Sequence, residues 1–70
     1  MMTQTEMLDA IKKSTAEKWS ELLGCEITFG YDDPSTISAL HAACTLLELL
    51  ENVTGKQWYY SSRDDEMKPE

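Results

Sequence analysis

One helical face runs through Leu8, Ile11, Thr15, Trp19 and Leu22, which are spaced by three and four residues. Thr3 and Glu6 ahead of it have the spacing of a capping box, with Met2 and Met7 placed to form a hydrophobic staple. Gly24 stands where a left-handed C-cap would end the helix. The pattern predicts a helix over 4–23. The period then changes: Cys25, Ile27, Phe29 and Tyr31 alternate with Glu26, Thr28 and Gly30, which predicts a short strand over 25–31.

Asp33-Pro34 is a helix start, an N-cap acceptor followed by a proline whose missing N–H costs nothing in the first turn. Thr54-Gly55 is a stop. The helix expected over 34–53 contains ALHAACTLLELL, in which only His41, Thr45 and Glu48 are polar. On a wheel of about 100° per residue, Ser38, His41, Thr45, Glu48 and Asn52 form one polar stripe. Leu40, Ala43, Leu47 and Leu50 form one apolar flank, and Ala39, Ala42, Leu46, Leu49 and Val53 a second. Glu51 falls oddly within the first flank, where it pairs with a base of the first helix such as Lys12 or Lys18, or reaches solvent. A helix packed on a single neighbour shows one apolar stripe, so this one has two neighbours to satisfy.

The aromatic run KQWYYSS predicts a second strand over 56–62. The charged, proline-bearing ending over 63–70 reads as a flexible acidic tail outside a single small domain, 1–62. The expected fold class is α+β and mainly helical, two long helices with two short strands. The strand–helix–strand spacing is that of a βαβ unit with parallel strands, too little sheet to stand alone. The alternative is an all-α helical hairpin that dimerises into a four-helix bundle.

Size sharpens the question of the second flank. Seventy residues bury only about 60% of the surface their unfolded chain exposes, so the core is marginal. Burying one Leu-sized side chain is worth about 1.5–3 kcal/mol, and a marginal fold can ill forgo several. The expectation is a homodimer, or an obligate partner, docked on the interface Ala39, Ala42, Leu46, Leu49 and Val53.

Charge changes the picture further. The net charge is −7, and from Trp19 to Gly55 there is no Lys or Arg but six acids: Glu21, Glu26, Asp32, Asp33, Glu48 and Glu51. Such a segment repels phosphate backbones, which argues against direct nucleic-acid binding. It suits a partner protein with a basic surface. Trp58, Tyr59 and Tyr60 cannot all face inward on a strand, and Trp and Tyr are enriched at interface hot spots. Trp58, Tyr59, Tyr60, Asp32 and Asp33 are therefore the candidate partner-binding residues.

Catalytic and metal chemistry have little support. His41 and Cys44 are helical neighbours, but a thiolate needs an electropositive setting that this segment lacks. Cys25, His41, Cys44 and Glu48 offer zinc-type ligands without a paired-cysteine motif. The carboxylate pairs Glu17/Glu21, Glu48/Glu51 and Asp32/Asp33 are explained by solvated faces and a helix start. No phosphate loop, nucleophile motif or calcium loop occurs. The expectation is no enzyme, no metal and no cofactor. Two cysteines and an N-terminus without a signal-peptide pattern suggest free thiols and a cytoplasmic setting, in which the Asn52-Val53-Thr54 sequon is chance. No apolar run approaches the roughly 18 residues of a membrane span.

The functional expectation is a small acidic, non-enzymatic protein-interaction or regulatory protein acting as a homodimer, of the inhibitor or immunity-like kind that binds a basic partner. The alternatives are a structural subunit of a larger assembly, or a small zinc-binding or thiol protein.

Overall fold

Two long helices lie antiparallel and a β-hairpin folds back across them in a computed structural model that describes residues 3–70. The elements are α1 (Gln4–Phe29), α2 (Pro34–Thr54), β1 (Trp58–Ser61) and β2 (Glu66–Pro69). The α+β, mainly helical class holds, and the hairpin sets aside the all-α alternative. At 1.5 Å per residue α1 is about 39 Å long, matching the molecule's longest dimension of 38 Å.

The helix starts are those the sequence dictates. Thr3 Oγ1 accepts from the Glu6 N–H at 3.1 Å, and Asp33 Oδ1 accepts from the Ser35 N–H at 2.9 Å with Pro34 in the first turn. The staple expected of Met2 falls on a residue outside those described. Gly55 ends α2 at φ 69°, a left-handed cap whose N–H reaches Glu51 O at 2.8 Å.

Two expectations need correction. The strand over 25–31 is instead helix as far as Phe29, and Gly30, not Gly24, closes α1 at φ 89°. Leu22 is buried, and Cys25 and Glu26, three and four residues on, are half-buried. The helical spacing thus continues across Gly24 and outweighs the period-two pattern. The 63–70 tail supplies β2, which pairs antiparallel with β1 in the register Trp58↔Pro69, Tyr59↔Lys68, Tyr60↔Met67, Ser61↔Glu66. Among the described residues 25–31 makes no parallel pairing with 56–62. Glu70 N–H donates to Gln57 O at 2.9 Å. By alternation, 59/68 and 61/66 are the hydrogen-bonded pairs, and Pro69 sits where its missing N–H costs the ladder nothing.

The core is Ala16, Leu50, Trp58 and Met67, with Leu8, Ile11, Trp19, Leu47 and Tyr60 packed around it. Met67, the one large apolar residue of the charged ending, is what fastens β2 to the helices. Thr15 is fully buried on the face of α1, where its hydroxyl donates back to Ile11 O at 2.7 Å. The hairpin covers only the end of the helix pair where α1 begins and α2 finishes; Glu51 and Thr54 of α2 bond to its first residue.

Candidate functional site

The five residues expected to bind a partner are not brought together. Asp33 is committed as the N-cap of α2, and Asp32 is exposed in the preceding turn. Trp58 lies at the other end, about 27 Å away along α2 as measured to Glu51. It is only 8% exposed and belongs to the core. Its Nε1–H donates to Thr54 Oγ1 at 2.7 Å, and its backbone N–H donates to Glu51 Oε2 at 3.2 Å. Lys12 Nζ lies 5.4 Å from its ring centroid, a cation–π contact. Glu51 thus serves neither Lys12 nor Lys18; it caps an edge donor of β1.

Of the aromatic run, Tyr59 faces outward. Tyr60 is half-buried, and its hydroxyl donates to Asp65 Oδ1 at 2.5 Å. That bond to a carboxylate, and secondarily burial, raise the phenol above its usual 10.0. In the turn, Lys68 holds Asp64 below the usual carboxylate value through a hydrogen bond and its charge, and Asp64 raises Lys68 in return.

Helix α2 is clothed along its centre and bare along both margins. Thr36, Ala43 and Leu50 are buried, Leu50 completely. On the margin expected to form a dimer interface, Ala39, Ala42 and Leu46 are half-buried, while Leu49 and Val53 are 45% and 57% exposed. Beside Ala39 and Ala42 a shallow, mixed surface includes Lys18 and Glu21 of α1, which form an exposed ion pair at 3.2 Å.

The other margin carries more apolar surface than the sequence suggested. Leu40, assigned to the flank α1 would cover, is 41% exposed, and Ile37 43%. On α1, Leu23 and Ile27 follow Trp19 at intervals of one turn and continue the line that Ala16 begins beneath the hairpin. On α2, Leu47, Leu40 and Ile37 continue the facing line. Trp19, Leu23, Leu47, Tyr59, Tyr60 and Ser62 line a depression of about 420 Å³ at the hairpin's border. The indole N–H of Trp19 is buried there without an acceptor among the described residues. Beyond the border the two lines run uncovered to the interhelical turn, where Ile27 is 87% exposed. Sequence reasoning missed this face because it read Ile27 as a strand residue. Four-residue spacing from Leu23 was the signal available.

Among the described residues, six of the ten large apolar side chains left exposed lie between 23 and 40, so bare surface concentrates at the end the hairpin does not reach. The whole chain exposes 5066 Å². A compact monomer of 8.0 kDa is expected to expose about 4,450 Å². The larger area goes with the elongated shape, 38 × 22 × 21 Å.

Cys25 and Cys44 are both free thiols, half-buried and exposed respectively. His41 is exposed on the polar stripe. Among the described residues no three His, Cys, Asp or Glu side chains gather to hold a metal, and no helix is long and apolar enough to cross a membrane. Comparisons with protein-family models, with curated proteins and with solved structures find no match.

Proposed function

We propose that the chain is a small acidic, non-enzymatic interaction protein of the cytoplasm that acts as a homodimer and binds another protein with a basic surface. The observation that carries this reading is the bare margin of α2, with Leu49 and Val53 exposed in line with Ala39, Ala42 and Leu46. A second copy suits this margin because its border is charge-balanced. Lys18 and Glu21 stand beside Ala39 and Ala42, so a two-fold axis can set unlike charges opposite each other.

Sedimentation equilibrium over a dilution series tests the reading. The expected result is a dimer that Leu49→Glu and Leu46→Glu convert to monomer and that Glu48→Lys leaves intact. Leu49 is the decisive position, because it is exposed in the single chain and its replacement spares the core. A wild-type chain that stays monomeric at micromolar concentration refutes the dimer.

A further inference from the structure

The second bare face has a different character. Leu23 and Ile27 on α1 and Leu40 and Ile37 on α2 border a groove between antiparallel helices. The hairpin fills the same groove farther along with Trp58, Tyr60 and Met67. From Leu47, half-buried at the hairpin's border, to Ile37 the line runs about 15 Å, with Leu40 and Ile37 exposed along it, the length of some three turns of a docked helix. The charges around it are of one sign. Glu48 stands on the adjacent polar stripe with His41, Glu26 is half-buried on α1, and Asp32 lies in the turn at the groove's end with the N-cap Asp33. No Lys or Arg occurs from Trp19 to Gly55. The bases nearest to it belong to the hairpin: Arg63, next to Ser62 in the turn, and Lys68, paired with Tyr59 and bonded to Asp64.

We propose that this face receives an amphipathic helix of a partner protein, its apolar stripe seated on Leu23, Ile27, Ile37 and Leu40 and its flanks carrying Lys or Arg. This rests on the reading of the chain as a binder of basic proteins and names the surface and the kind of segment. A second copy of the chain is the poorer occupant. A face-to-face pairing sets the acids Glu48, Asp32 and Asp33 of one copy against acids of the other, and like charges across an interface oppose association. An amphipathic basic helix satisfies both features at once. It covers the apolar line as β1 and β2 cover its continuation, and it places cations against acids that have no base of their own chain nearby.

The test uses two synthetic helical peptides with the same leucine stripe, one with lysines on the flanks and one with glutamates. Each is labelled and titrated with the full-length protein by fluorescence anisotropy. The lysine peptide is expected to bind, more weakly as salt is raised, and the glutamate peptide not to bind. Ile27→Asp and Leu40→Asp make the protein more acidic while removing apolar contact, so each should weaken lysine-peptide binding by about tenfold or more. Both positions are exposed, and far-UV circular dichroism should report an unchanged fold. Equal binding of the two peptides, or lysine-peptide binding unaffected by both Asp variants, overturns the proposal. So does loss of the dimer in the Asp variants, which would make this face the contact between copies. A wild-type chain that is monomeric yet binds the lysine peptide in this pattern refutes the dimer alone and leaves the groove assignment standing.

Discussion

Thr54 fastens the β-hairpin to the helices through one oxygen, and replacing it with valine tests what that oxygen contributes. Its Oγ1 accepts the indole N–H of Trp58 at 2.7 Å and donates to Leu50 O at 2.8 Å. Valine keeps the shape and removes the acceptor, leaving a half-buried N–H without a partner. A polar group stranded in this way costs about 1–3 kcal/mol. A 70-residue domain has roughly 3.5–10 kcal/mol to lose, at about 0.05–0.15 kcal/mol per residue. The change should therefore be plain in urea denaturation at fixed protein concentration, and as a fall in Tm of roughly 4–8 °C per kcal/mol. Specificity comes from the cycle with Trp58→Phe, which removes the donor. If the hydrogen bond is the cause, Thr54→Val costs far less when combined with Trp58→Phe, and the two changes couple by about 1 kcal/mol or more. Additivity within about 0.3–0.5 kcal/mol would refute the assigned role of the bond.

Two glycines should respond in opposite senses. Gly24 lies inside α1 with nothing near an added Cβ, so Gly24→Ala should stabilise by about 0.5–1 kcal/mol. Gly55 holds φ +69°, and Gly55→Ala should destabilise by about 1–2 kcal/mol; thermal melts of the pair check both signs. In the hairpin turn, the lowered Asp64 contributes stability that is present above its usual 3.8 and lost as pH falls through its folded value. Acidification should thus loosen the hairpin, as read by the near-UV signal of its aromatic residues. The effect should be small because the pair is exposed, should shrink with salt, and should vanish in Lys68→Gln.

The helices were legible because their signals are local and agree with one another. Thr3, Asp33-Pro34 and Gly55 each do in the structure what their chemistry predicts. The segment 25–31 misled because alternation is a weaker commitment than an existing helix. Extending α1 past Gly24 adds a hydrogen bond per residue, and Cys25 and Glu26 continue the half-buried face in helical register. A strand there would have needed a partner many residues away. The partner of β1 was instead five residues on, across the turn 62–65, where closing the loop costs little. Its composition hid it: Arg63, Asp64, Asp65, Glu66 and Lys68 read as solvated tail, and one methionine, Met67, carries the whole apolar case for burial. Asp65 adopts φ 51°, a conformation Asp tolerates better than most residues, so Asp64-Asp65 was a turn signal as much as a charge run. At the candidate site, apolar flanks on two sides of α2 could be read from the wheel. The hairpin's shortness could not, and it is the hairpin's reach that decides which apolar residues stay bare.

A two-stranded ribbon presents an open rim onto which further strands can stack, the beginning of a fibre. Pro69, placed where its nitrogen would point away from β1, takes one donor off that rim, and the neighbouring Lys68 brings a charge that a growing stack would have to strip of water. The same proline that makes the C-terminus look unstructured thus works as a stopper, letting the chain keep a short sheet without seeding polymerisation.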